Sequence, residues 1–201
     1  MTTVADVLVH ELSLASYQAS IRAAVRGLWN GALGEIEFVD SMISASARGT
    51  EQAWREGAKE CGVGPDERTP QEEAALVAIQ NRNLAALRSF ATTIAGATRA
   101  SGAPLQPHLN RAELWVNRYN EARNQARAMA CADQKYAWEV GPTEHCGTCL
   151  KMNGKVKRAS TWAEADIRPQ HPNLECGGFR CQCSFRQTSD SLSRGPLPGM
   201  P

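Results

Sequence analysis

Five of the seven cysteines crowd into residues 146–183, where Cys146-Gly147-Thr148-Cys149 is followed by Cys176, Cys181 and Cys183, with His171 between the two groups. No other feature restricts the fold as strongly. Thiols at this spacing pair as disulfides, hold a metal or supply a nucleophile, and each choice dictates a different local structure. An odd number in the window argues against a disulfide set. The opening residues, MTTVADVLVHELSLASYQAS, have no basic stretch ahead of an apolar core, so no secretory leader is predicted. The expected compartment is a reducing cytoplasm, where clustered cysteines favour a metal.

Zinc accounts for the pattern physically. The ion takes four soft or borderline ligands near tetrahedral geometry, a two-residue gap aims two sulfurs at one point, and a distant second group closes the shell. Such binding stabilises model fingers on the order of 10 kcal/mol, enough to fold a segment whose few large apolar residues are scattered. The favoured ligands are Cys146, Cys149, Cys176 and Cys181, with Cys183 and His171 in reserve. Cys181 and Cys183 as a joint pair is a rival, because side chains two apart on extended chain point the same way. Cys61 and Cys131 fall in helical stretches and are expected to be free, buried and inert.

Other chemistry is less well served. A redox Cys-x-x-Cys opens a helix after a strand, whereas LKMNGKV reads as a short hairpin turning at Asn153-Gly154. A zinc deaminase requires His-x-Glu ahead of its cysteines, and the chain has none upstream. The four histidines, His10, His108, His145 and His171, are too dispersed for a paired-histidine nuclease motif. No catalytic residue is assigned. With 22 basic and 21 acidic residues the net charge is +1, which removes any global electrostatic signal for nucleic acid. A local patch, Lys151, Lys155, Lys157 and Arg158, with Arg168, Arg180 and Arg186 near it in sequence, supplies candidate phosphate contacts. A solvated face is the simpler reading of those charges.

Upstream the texture is helical, and the expected fold is mainly α. About four helices over residues 1–138 precede a small irregular or β-hairpin zinc knuckle at 139–186 and a flexible tail at 187–201. Leu14, Tyr17, Ile21, Val25 and Leu28 recur at helical spacing over about 5–29, with Asn30-Gly31 as a stop. A second helix over about 34–60 carries Ile36, Val39, Met42, Ile43 and Trp54. Thr69-Pro70-Gln71-Glu72 has the form of a capping box and starts a third, whose stripe is Val77, Leu84, Leu87, Ala91 and Ile94. A fourth runs from about Asn110 to Trp138 on Trp115, Tyr119, Ala122, Ala126, Met129 and Tyr136. No apolar run is long enough to span a bilayer.

The order Cys146-x-x-Cys149, Gly154-Lys155-Val156, His171-Pro172-Asn173 and Cys181-x-Cys183 resembles the C-terminal domain of phage Mu F-type minor head proteins, also called phage head morphogenesis proteins. The lead-in from Glu113 to Cys146, where Arg118, Asn124 and Trp138 stand out, is similar as well. The resemblance covers about residues 110–186. The segment Leu174–Arg180 is a departure: it separates the His-Pro-Asn step from the closing pair and adds Cys176, leaving His171 and Cys176 as alternatives for one ligand place. The resemblance implies a non-enzymatic virion protein with a structural Zn²⁺, made in the host cytoplasm. It would be an oligomer on the particle near the portal vertex, contacting portal or other head proteins and packaged DNA, with no membrane partner. A zinc knuckle that binds nucleic acid outside the virion is the alternative.

Overall fold

The computed structural model describes residues 13–142 and 144–199. It is mainly helical, with a small antiparallel sheet near the C-terminus, as expected. Helix α1 (Leu14–Trp29) begins where the Ser13 hydroxyl accepts the Ser16 amide, and buries Tyr17, Ile21, Val25 and Leu28. It stops at Asn30, and Gly31 supplies the left-handed turn at φ 80°. The part of the first expected helix before Ser13 lies outside the described residues. Helix α2 (Glu35–Lys59) buries Phe38, Met42 and Trp54, whereas Ile36 faces solvent.

The third expected helix is two. Helix α3 (Pro70–Ala85) opens with the anticipated reciprocal cap, in which Glu72 N–H donates to the Thr69 hydroxyl and Thr69 N–H to the Glu72 carboxylate. Helix α4 (Leu87–Ala95) follows after Ala86. The buried stripe is Leu76, Ile79, Asn83, Leu87, Phe90 and Ile94, so Val77 and Leu84 lie on the outer side. The break has an identifiable cause. The indole N–H of Trp115 donates to the Asn83 carbonyl, the acceptor that a continuous helix would offer to Leu87.

Helix α5 (Gln106–Ala130) is the axis of the molecule. The Tyr17 hydroxyl donates to the Trp115 carbonyl and the Tyr119 hydroxyl to Glu56. Gly57 of α2 sits against the Arg123 carbonyl and the Ala126 methyl, a gap too narrow for any side chain. These contacts set α2 beside α5 with their C-terminal ends together. That end carries a correction: Cys61, just past α2, and Cys131, the C-cap of α5, are joined in a disulfide instead of free, their Cα atoms 5.4 Å apart. Seventy residues separate them in sequence, so helical periodicity gave no sign of the meeting.

The fourth helix also ends earlier than expected. After a turn at Cys131–Asp133 the chain becomes β1 (Lys135–Glu139), so Tyr136 and Trp138 are strand residues. Strand β1 is central, flanked by β2 (Val156–Arg158) and β3 (Ser184–Gln187), both antiparallel to it. The registers include Tyr136 opposite Lys157 and Trp138 opposite Phe185. Pairing on both edges explains the strand state of a stretch whose apolar spacing also fits a helix. Two short helices complete the module, α6 (Gly147–Met152) and α7 (Ala159–Glu164).

The apolar interior divides accordingly. One core lies among α1–α5; a second gathers Tyr136, Trp138, Met152, Trp162, Ile167, Leu174 and Phe185 with all five C-terminal cysteines in or against it. The expected flexible tail is pinned to this module. Ser193 exchanges hydrogen bonds with Val156, Lys135 reaches the Ser189 and Asp190 carbonyls, and Leu197 packs on the second core. Polar composition predicted solvation, but backbone carbonyls facing two strand lysines decided otherwise. Among the described residues no helix is long and apolar enough to cross a membrane.

Candidate metal centre

Aromatic packing sets the frame. Trp138, Trp162 and Phe185 meet with ring centroids 5.2–5.9 Å apart, and the Trp162 indole donates to the Tyr136 carbonyl. This cluster fixes β1 against α7 and β3, and the loops leaving both strands converge beside it. Gly141 allows the first loop to pass the Gln182 backbone at a distance that any side chain would block.

Cys146 is the N-cap of α6 and Cys149 lies in its first turn. The expected hairpin is therefore corrected: Cys-x-x-Cys opens a short helix, and Asn153-Gly154 ends it, Gly154 taking φ 73°. The Gly154 amide bonds back to the Trp138 carbonyl, so the turn is held by β1. From the opposite side come Cys176, on a loop, and Cys181-Gln182-Cys183, leading into β3.

The sulfurs of Cys146, Cys149 and Cys176 lie within 4.8 Å of one another, and so do those of Cys149, Cys181 and Cys183. Cys149 is common to both groups. Three of the four favoured cysteines, Cys146, Cys149 and Cys176, thus form one group, and the fourth, Cys181, shares the other with Cys149 and Cys183, the cysteine held in reserve. These groups could hold a metal ion. The donor set fits a soft or borderline ion: thiol sulfurs from three separate segments, gathered at a buried point. Mutual hydrogen bonding separates their acidities. Bonds from Cys149 and Cys181 push Cys183 down to about 4, helped by the Gly141 amide and the Trp138 indole. Bonds from Cys149 and Cys176 push Cys181 down to about 7, while Cys149 moves up because it keeps the shared proton. The Trp138 N–H meets no nitrogen or oxygen acceptor, and Cys183 is the negative atom it faces. His145, half-buried, brings its Nδ1 to 4.0 Å from the Cys183 sulfur.

His171 is not part of the cluster. Its Nδ1 accepts the Asn173 amide, and its Nε2 faces Asp166 at 3.3 Å. Both nitrogens are engaged, which removes it from the reserve ligands. Burial holds the imidazole neutral, with its pKa pushed down to about 4.

A second set of residues carries the loop that presents the cysteines. Glu121 on α5 is fully buried and pairs with Arg82 of α3 at 2.5 Å, Arg118 at 2.7 Å and Arg168 at 3.0 Å. Arg168 also reaches Asp166. Asn124 donates to the Gln170 side chain at 2.7 Å, and Gln170 in turn donates to the Cys181 and Cys183 carbonyls. Asp166, Gln170 and Arg180 all have positive φ, as do Gly177 and Gly178. A loop this contorted persists only when its surroundings over-determine it, and Glu121 with Gln170 does so here. Sequence reasoning passed over both residues. The available signal was a charged Arg118–Glu121 pair one turn apart inside an apolar seam. Arg168, grouped by sequence with the basic patch, is buried and belongs to this network.

The candidate phosphate contacts do not form one free patch. Lys157 donates to the Ser193 and Gly195 carbonyls, and Arg158 to the Asp133 carbonyl. Lys151 and Arg158 are exposed, and Lys155 is half-exposed.

Comparison with protein-family models, curated proteins and solved structures finds no match to this chain.

Proposed function

We propose that this chain is a phage minor head protein of the head morphogenesis type, with a structural Zn²⁺ in its C-terminal module. One observation carries the reading: the Cys-x-x-Cys and Cys-x-Cys elements, in the order of the resembled domain, meet at Cys149 behind a long helix. Cys146, Cys149, Cys176, Cys181 and Cys183 supply the sulfurs from which four ligands are drawn. Bound there, the ion would tie α6 to the entry of β3, and Gln170, Trp138 and Gly141 would orient and polarise the thiolates from outside.

The role is structural, not enzymatic. The helices offer contacts to portal or other head proteins, the chain acts as an oligomer near the portal vertex, and packaged DNA is a further contact. Binding of nucleic acid outside the particle has less support, because Lys157 and Arg158 are engaged within the chain. Mass spectrometry of purified particles should find the protein in heads, and elemental analysis should find about one zinc per chain. Protein present in lysate and absent from heads would sink the virion reading, whatever its metal content.

A further inference from the structure

The Cys61–Cys131 bond lies outside the metal centre and has no part in holding an ion. We infer that it is a redox-controlled covalent staple between the helical bundle and the C-terminal module, open in reducing surroundings and closed in oxidising ones. Three observations carry this. First, the bond ties the end of α2 to the point where the module leaves the bundle: Cys61 follows α2, and Cys131 caps α5 immediately ahead of β1 and lies in the second core. Second, the thiols are held in place by other contacts. Glu60 pairs with Arg127 at 2.6 Å and Arg123 at 3.0 Å, fixing the two ends together whether or not the sulfurs are bonded. Third, Cys61 is half-exposed, so a small reagent has access, while Cys131 is buried against the second core. The Cα separation of 5.4 Å falls in the ordinary range for a disulfide. The Tyr136 hydroxyl of β1, 3.9 Å from the Cys61 sulfur, places the staple on the module's own core.

Closure needs an oxidant, and a small disulfide such as oxidised glutathione suffices. The Cys61 thiolate attacks one sulfur of the reagent, forming a mixed disulfide and releasing one small thiol. The Cys131 thiolate then attacks the Cys61 sulfur and expels the second. Two protein thiols become one disulfide, and the reagent disulfide becomes two thiols. When the bond is open, both residues are small, weakly polar side chains that the core accommodates. The four C-terminal cysteines that hold an ion stay out of this exchange.

The test uses the full chain with zinc present, equilibrated with oxidised or with reduced glutathione, then denatured in N-ethylmaleimide and digested. The oxidised sample should show five alkylated cysteines and a peptide pair linking Cys61 to Cys131; the reduced sample should show seven. The oxidised protein should melt about 10 °C higher, because a bond closing a long loop restricts the unfolded chain. Cys131→Ala should abolish that gap and leave zinc content unchanged. Seven adducts in both samples, or a bridge from Cys61 or Cys131 to a C-terminal cysteine, would overturn the assignment. A linked pair with melting points within about 2 °C would overturn the staple. Neither outcome bears on whether zinc is bound.

Discussion

In the bundle, α2 lies against α1 and α5 through Gly49 and Gly57, and Tyr17, Phe90, Trp115 and Tyr119 fill the centre. In the C-terminal module β1, β3 and α7 carry one aromatic trio, and five cysteines lie in or against the same interior. Five helices bury apolar surface worth roughly 25 cal/mol per Å². A three-stranded sheet with irregular loops has little such surface, and a buried polar network and a candidate ion make up the difference. The two regions also meet differently. Within the bundle, contacts are mostly apolar; at the junction, buried polar pairs, Glu121 with Arg168 and Asn124 with Gln170, join α5 to the loop.

The largest expected effect comes from removing the sulfur common to both groups. Cys149→Ser should release the metal and cost the module most of the ~10 kcal/mol that such an ion supplies. Hydrogen exchange should then rise over residues 144–186 while α1–α5 keep their protection. Equal loss in both regions would mean that the bundle depends on the ion as much as the module does.

Next comes the junction. Glu121→Gln leaves Arg82, Arg118 and Arg168 without their buried carboxylate and should destabilise by about 3–5 kcal/mol. Chemical denaturation checks the size. Loosening of the 166–183 loop before α5, seen by exchange, would confirm that the network carries the cysteines.

His171 sharpens the comparison through pH. Its folded pKa, about 4, lies below the ordinary 6.5, so the unfolded chain takes up the proton first. Stability from this group is full above about pH 6.5, falls by about 3 kcal/mol as pH drops to 4, and levels off below that. His171→Gln should remove that part of the slope. A slope identical to wild type would show that the buried imidazole does not govern it.

The smallest effect belongs to the bundle. Gly57→Ala pushes a methyl at the Arg123 carbonyl and should cost about 1–3 kcal/mol, read as a lower midpoint in urea, with metal content unchanged. Loss of zinc in this variant would mean the two regions are coupled more tightly than their interiors suggest.

Much of this architecture was legible residue by residue. Tyr17, Ile21, Val25 and Leu28 declare α1, the Thr69–Glu72 box declares the start of α3, and the Cys-x-x-Cys spacing brings Cys146 and Cys149 together, because each depends on neighbours within one or two turns. What failed depended on distant partners. The α3–α4 break needs Trp115, thirty-two residues from Asn83. The strand state of Tyr136 and Trp138 needs β2 and β3, and His171 is held away from the cysteine cluster by Asp166 and Asn173. The pinned tail needs Lys135 and Lys157.

Local order, then, was written in the chain itself: where helices start, which face is apolar, and that the carboxyl-terminal cysteines form a group. Tertiary packing alone decided which cysteines meet, Cys61 with Cys131 and four others around Cys149, and which charges are buried around Glu121. The reason is geometric. Periodicity reports the faces a segment offers, whereas bonds between groups tens of residues apart exist only once the intervening chain has folded back.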